Sequence, residues 1–206
     1  MITEKQMKMF QVFAKQPFQE FTRKQIKMLA KEKSNNALAL FILKFKKEGI
    51  INEQKIGKSS LFSLNMDSDI IYPYIALANL QRIDNVAQRT LRIVTEEIEK
   101  QTPFYSLVIF GSHAFQEQKK GSDLDLAVFI ETGEKKKSLQ AALNSAAQKS
   151  LLPIDAHIIT KTEFIEMLTN DEENLGKQIA RKHLAVRNHQ LFYGLLREGI
   201  KRGFAV

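Results

Sequence analysis

The sequence predicts an α+β protein in two parts: three helices and a β-hairpin first, then a small mixed β-sheet flanked by helices. Three observations carry this prediction. Apolar residues recur at helical spacing through most of residues 4–48, and two short β-rich segments follow around a turn. Later, three apolar strand-like segments at residues 104–110, 123–130 and 151–160 stand among helical patterns.

The N-terminal helices have recognisable starts and stops. The apolar side chains of residues 4–15 fall near one helical face, and Thr22 is typical of the N-cap of a second helix. Ser34 is the next N-cap, and Gly49 ends the helix that follows it. Residues 50–55 and 60–64 then predict two strands joined by a turn.

Three helices followed by a hairpin resemble a winged helix-turn-helix over about 65 residues. The resemblance implies that the helix beginning at Ser34 enters the major groove of DNA. Asn35 and Asn36 would then read base edges. The lysines expected near phosphates are Lys33, Lys44, Lys55 and Lys58. The alternative is a winged helix that serves only dimerisation or protein contact.

The charge distribution favours the DNA-binding interpretation. Residues 1–66 hold 13 Lys and Arg against 5 Asp and Glu, whereas residues 67–206 hold 18 of each. All of the net charge of +8 therefore lies in the first third of the chain. A basic unit joined to a neutral one suggests that one part binds a polyanion and that the other part has a different function.

Residues 67–100 predict one long linker helix, because apolar residues continue at helical spacing from Leu77 to Ile98. We therefore divide the chain into a winged-helix domain at 1–66, a linker helix at 67–100 and a second domain at 101–206. The residues after Thr160 are predicted to be helical at 161–168, 171–182 and 190–201.

The chemistry-bearing residues follow or lie on the predicted strands. The strand at 104–110 ends at Gly111-Ser112, and the next begins with Asp123 and Asp125, whose side chains share a face. Asp155 lies on the third strand among apolar residues. Carboxylates on a buried strand are costly unless something compensates their charge. Three of them converging would suit two Mg²⁺ ions, which prefer oxygen ligands.

Gly111-Ser112, ten residues and then Asp123-Leu124-Asp125-Leu126 resemble the motif of the DNA-polymerase-β-like nucleotidyltransferases, most closely the minimal nucleotidyltransferases. The resemblance implies two Mg²⁺ ions on Asp123, Asp125 and Asp155, the last of which also takes a proton from the acceptor. It implies an NTP, first of all ATP, whose phosphates approach Gly111 and Ser112.

The loop between the two motifs departs from the family pattern. Relatives often carry Arg after Gly-Ser, and here His113 stands instead, which is a weaker phosphate partner when neutral. Lys119 and Lys120 could contact phosphates, although a solvated loop is the alternative interpretation.

The resemblance implies an enzyme that transfers NMP to a hydroxyl and, through the minimal nucleotidyltransferases, an antitoxin that modifies a HEPN-type toxin and represses its own operon. The alternative is a DNA-binding regulator whose nucleotidyltransferase domain is inactive or only senses nucleotide. A homodimer would match two DNA half-sites. The absence of cysteine, of a long apolar run and of a signal-like start predicts a cytoplasmic protein without a membrane span.

Overall fold

The structure is a computed structural model that describes residues 2–115, 117–119 and 121–205. The chain divides into two compact units, residues 1–79 and residues 80–206.

The first unit has the predicted order of three helices and a hairpin, with one short strand and one helix added. Its elements are α1 Glu4–Lys15, β1 Phe21–Thr22, α2 Arg23–Leu29, α3 Asn35–Lys47, β2 Ile51–Ile56, β3 Ser59–Leu64 and α4 Ile71–Leu80. The three strands form an antiparallel sheet in the order β1-β3-β2.

Side-chain caps fix the starts of the first three helices. Thr3 and Thr22 each close a capping box at the starts of α1 and α2, and the Ser34 hydroxyl accepts a hydrogen bond from the Ala37 amide at 3.1 Å. The predicted caps at Thr22 and Ser34 are therefore confirmed. The helices bury an aromatic cluster in which Phe45 contacts Phe41 and Tyr74 at centroid distances of 4.4 and 5.6 Å.

The single linker helix predicted over 67–100 is wrong, because the structure has two helices there. The first, α4, packs on the first unit through Tyr74, and α5 begins at Asn85 in the second unit. Asp84 explains the break: its carboxylate accepts hydrogen bonds from the amides of Val86 and Ala87, both at 2.9 Å. A helix N-cap in the middle of an apolar repeat starts a new helix.

The second unit is a small mixed sheet with helices around it, as predicted, and the sheet has four strands. Its elements are α5 Asn85–Glu99, β4 Ser106–Phe110, α6 Gly111–Phe115, β5 Leu124–Ile130, a 3-10 turn Gly133–Lys135, α7 Lys136–Lys149, β6 Ile154–Thr160, α8 Lys161–Thr169, α9 Leu175–Arg181, β7 His183–Arg187 and α10 His189–Lys201. The strand order is β6-β5-β4-β7. Only the β5–β6 pair is parallel among these strands of the described residues.

The helix predicted over 171–182 is shorter in the structure, and a strand follows that we did not predict. The α9 helix ends at Arg181, and β7 pairs with β4 in register Phe110 with His183. Leu184 and Ala185 are fully buried on this edge strand. Tertiary pairing decides the state of so short an apolar segment. The predicted helices at 161–168 and 190–201 are present as α8 and α10.

The core of the second unit lies on both faces of the sheet: α5 and α7 cover one face, and Phe164 of α8 and Phe192 of α10 pack on Phe129 at the other. Leu91, Val94 and Ile98 of α5 are buried with strand residues. The Glu97 carboxylate pairs with Lys100 at 2.6 Å and with Lys149 at 2.7 Å, which joins α5 to α7. In the part of the chain that the structure describes, no helix is both long and apolar enough to cross a membrane.

Candidate active site

The sheet brings the predicted motif residues to one end. The antiparallel pair β4–β5 places Gly111, which follows β4, beside the start of β5. The parallel pair β5–β6 has Asp125 and Asp155 as direct register partners. Partners on adjacent strands point to the same face of a sheet. Gly111, Asp125 and Asp155 therefore meet without any contribution from loop geometry.

Gly111 lies directly against the Asp125 carboxylate. Its φ of +65° is in the left-handed region, and a Cβ at this position would be 2.0 Å from Asp125 Oδ2. Only glycine satisfies both the backbone conformation and the close approach. The Gly-Ser turn is thus shaped around the carboxylate that follows it in sequence.

The surroundings of Asp125 disfavour its ionised form. Burial raises the pKa of its carboxyl, and the nearby carboxylates of Asp155 and Asp123 raise it further. His113 and His157 oppose this rise. Burial and like charges both disfavour the ionised form. A cation bound beside Asp125 would offset both effects.

The other two predicted carboxylates are more exposed. Asp123 lies one residue before β5 rather than on the strand as predicted, and its side chain is exposed. The Asp155 side chain is 58% exposed, and its Oδ1 is 3.6 Å from Nε2 of His157. Among the described residues, no three Asp, Glu or His side chains are already gathered in metal-binding positions.

The donor set nevertheless fits a hard divalent cation. Asp125 and Asp155 share a face at register positions, and Asp123 is close enough to raise the pKa of Asp125. Carboxylate oxygens are the ligands that Mg²⁺ takes in phosphoryl-transfer sites. Bound cations would offset the charge repulsion between these carboxylates.

The residues after Gly111 contribute less than the motif suggested. Ser112 is half-exposed at the start of α6, which has five residues. His113 is 8% exposed, and its Nε2 is 3.4 Å from the Ser122 carbonyl oxygen, so its ring faces the protein rather than solvent. Lys119 is exposed, and Lys120 lies outside the described residues.

A cleft beside Gly111 and Asp125 reveals residues that the sequence analysis missed. Its volume is about 480 Å³, and Phe110, Gly111 and Asp125 line it. The other lining residues are Glu173, Gln178, Arg181 and Lys182. The sequence signal for these residues is the Arg181-Lys182 pair just before a short apolar segment. The pair points to the site only if that segment is taken as a strand that pairs with β4.

The first unit carries a basic hollow between α2 and α3. Its volume is about 490 Å³, and its lining residues are Arg23, Lys24, Lys27, Asn35, Leu38 and Ala39. Lys27 Nζ donates to Asn35 Oδ1 at 2.5 Å. Lys33 lies in an adjoining hollow with Lys24 and Lys27. Two of the predicted DNA-contacting residues, Lys33 and Asn35, are thus surrounded by cations that we had not singled out.

The remaining predicted DNA-contacting residues are more dispersed. Asn36 is exposed at the start of α3, and Lys55 and Lys58 are exposed on the β2–β3 hairpin. Lys44 lies elsewhere on α3: its Nζ donates to Gln6 Oε1 at 3.3 Å and is 3.9 Å from Glu48. Its charge is used within the unit.

The outer face of α3 is also partly apolar. Leu40 and Leu43 are 56% and 68% exposed and follow Asn36 at helical spacing. Leucines at these positions can meet thymine methyl groups or the surface of another protein. Both interpretations left open by the sequence therefore have a physical basis on this helix.

Comparison with known proteins supports the motif-based interpretation of the second unit. Residues 91–181 match the family model described as a nucleotidyltransferase domain. No curated protein and no solved structure is similar enough to the chain to count as a match. The matched segment contains Gly111, the three carboxylates and Arg181, and it supports placing residues 91–181 in the nucleotidyltransferase superfamily and assigning a transferase activity to them.

Proposed function

We propose that the chain is a Mg²⁺-dependent nucleotidyltransferase that moves AMP from ATP to an acceptor hydroxyl. The observation that carries the proposal is the pairing of Asp125 with Asp155 on adjacent strands, with Gly111 against the Asp125 carboxylate. The nucleotidyltransferase match over the same residues supports it.

The reaction assigns each residue a role. The acceptor oxygen forms a bond to the α-phosphorus of ATP while the bond from that phosphorus to the bridging oxygen breaks, and pyrophosphate leaves. Asp155, which is exposed, takes the proton from the acceptor hydroxyl. Asp123, Asp125 and Asp155 would hold two Mg²⁺ ions, which supply charge stabilisation for both the attacking and the leaving oxygen. The backbone at Gly111 and the Ser112 hydroxyl would bind phosphate oxygens.

The acceptor is proposed to be a HEPN-type toxin encoded beside this chain. The chain would silence the toxin by adding AMP to it, and so act as its antitoxin. The test uses the purified product of a neighbouring gene that encodes a small helical protein with an Arg-x-x-x-x-His motif. With Mg²⁺, label from α-³²P-ATP should enter that protein, label from γ-³²P-ATP should not, and Asp155→Asn should abolish transfer.

Label transfer from the γ position would identify a kinase-like activity instead. If Asp155→Asn transfers AMP as fast as the unchanged chain, the assignment of Asp155 is wrong. Transfer to tRNA ends or small molecules, but not to the neighbouring protein, would keep the reaction class and replace the acceptor.

A second function, DNA binding, is favoured by the basic hollow between α2 and α3. We propose that the first unit uses a winged helix to bind duplex DNA upstream of its own gene, with the chain as a dimer on two half-sites. The corresponding alternative is a regulator in the cytoplasm whose nucleotidyltransferase domain only senses nucleotide. In that case, Asp155→Asn should leave DNA binding and its nucleotide dependence intact.

A further inference from the structure

The C-terminal end of α9 brings three groups suited to phosphate to the cleft. Gln178 and Arg181 are spaced i and i+3, so they share one side of the helix, and Lys182 follows the last helical residue. All three line the same cleft as Gly111 and Asp125. The lining thus combines donors and positive charge with a carboxylate and a bare backbone.

The sheet fixes this arrangement. Phe110 and His183 are register partners on the antiparallel strands β4 and β7. Gly111 follows Phe110 and Lys182 precedes His183, so both residues adjoin the last pair of this register. The start of α9 is also held: Asn174 Nδ2 donates to the Met167 carbonyl at 2.8 Å. Arg181 and Lys182 are therefore placed by secondary structure and not by a free loop.

Arg181 has an anionic partner at the cleft. Its Nη1 donates to both carboxylate oxygens of Glu173, at 2.9 and 2.7 Å. The two side chains are 44% and 55% exposed, so water screens the pair. A triphosphate carries more negative charge than one carboxylate and presents several acceptor oxygens to a guanidinium. A polyphosphate in the cleft would therefore compete with Glu173 for Arg181.

We propose that Arg181 binds the polyphosphate of the incoming nucleotide, and that Glu173 holds its guanidinium until the nucleotide arrives. The inference rests on the proposed function, because it takes the cleft beside Asp125 as the nucleotide site. Glu173 is then a positioning residue that competes with the ligand, and Arg181 is a substrate-binding residue.

The test measures affinity by calorimetry for Mg-ATP, and for tripolyphosphate without metal, on the full chain. Arg181→Met should weaken binding of both ligands at least about tenfold, the typical loss of a charge-assisted hydrogen bond. Glu173→Gln should strengthen binding roughly two- to fivefold, because a screened ion pair no longer has to break. The double variant should bind like Arg181→Met alone.

A matched Arg–Glu pair serves as the control. Arg187 and Glu99 form a salt bridge in the same unit, at the end of β7 away from Phe110. Arg187→Met and Glu99→Gln should leave both affinities unchanged. Suppose that the wild type binds both ligands, but that Glu173→Gln still strengthens binding in the Arg181→Met background. The proposal that phosphate replaces Glu173 on Arg181 is then wrong, while the proposed function stands. If the wild type binds neither ligand, both proposals are overturned.

Discussion

Gly111 shows how one residue connects sequence, backbone and site. Its left-handed φ costs any other residue about 1–2 kcal/mol, and a Cβ there would collide with the Asp125 carboxylate. We predict that Gly111→Ala destabilises the second unit by at least about 1–2 kcal/mol and abolishes Mg-ATP binding. Urea denaturation and calorimetry measure the two effects.

Gly121 provides the control for Gly111. Its φ is +86°, and a Cβ there would meet nothing within 4 Å. Gly121→Ala should show the conformational cost without displacing Asp125, so nucleotide binding should survive. Equal loss of binding in both variants would contradict a role for close contact between Gly111 and Asp125.

The ionised Asp125 carboxylate lowers the stability of the fold, although the proposed site needs it to bind metal. Because burial and Asp155 raise its pKa, its ionised form costs the folded state free energy at neutral pH. We predict that Asp125→Asn raises the Tm by about 1–2 °C without metal. With Mg²⁺ and ATP, the wild type should melt higher than Asp125→Asn, because only the wild type gains ligand-binding energy. Thermal scans with and without ligand test this reversal.

At the scale of single residues, the sequence predicted the acidic residues of the site but not the basic ones. The spacing of the motif singles out Gly111, Asp123 and Asp125, and the third strand adds Asp155. The register of Asp125 with Asp155 agrees with this prediction. Arg181 belongs to no such motif. Its position depends on the long-range pairing of β7 with β4, which local patterns do not encode.

Among the elements, helix starts were the most predictable, because capping is local chemistry. Thr22 and Ser34 cap α2 and α3 as predicted, and the missed cap at Asp84 explains why one predicted helix is two. The strand β7 was missed because a five-residue strand derives its stability from its neighbour.

The junction of α9 and β7 makes the second unit sensitive to acid. His183 is buried, its Nδ1 contacts the carbonyls of Ile179 and Ala180, and burial lowers its pKa from 6.5 to about 4. At a pH between about 4 and 6.5, His183 is therefore protonated in the unfolded chain but neutral in the folded chain. Stability from this group is full above pH 6.5 and falls as the pH drops towards 4.

We predict that this one histidine lowers the free energy of unfolding by about 2 kcal/mol when the pH falls from 7.5 to 5. His183→Asn retains a side-chain N–H donor but cannot titrate there. The variant should be less stable at pH 7.5, and the difference from wild type should shrink by that amount at pH 5. Urea denaturation of both proteins at both pH values measures this difference. An equal difference in unfolding free energy at pH 7.5 and pH 5 would contradict the assignment of the acid sensitivity to His183.

At the scale of the whole molecule, the charge asymmetry agrees with the division into two units. The basic first unit concentrates cations between α2 and α3, in the hollow that contains Lys24 and Lys27. The composition predicted a basic surface, but not which lysines form it, since that depends on how the two helices pack. Lys44 illustrates this: Gln6 and Glu48 hold its charge within the unit.

We predict that Lys24→Gln with Lys27→Gln weakens binding to the chain's own upstream DNA and lowers the slope of log affinity against log salt by about 2. Each lysine that neutralises a phosphate contributes about one unit to that slope. Lys8→Gln is the control, because Lys8 pairs with Glu4 at 2.8 Å on α1 and does not line the hollow. Filter binding at several salt concentrations would show no change of slope if the first unit serves protein contact instead.

We propose above that the Asp125–Asp155 end of the sheet binds a nucleotide through Mg²⁺. Calorimetry of ATP binding, with Mg²⁺ and with a chelator, tests this on the wild type, Asp125→Asn and Asp155→Asn. The wild type should bind only with metal, and both variants should show a large loss of affinity. Binding that is equal with and without Mg²⁺, or equal in all three proteins, would contradict it.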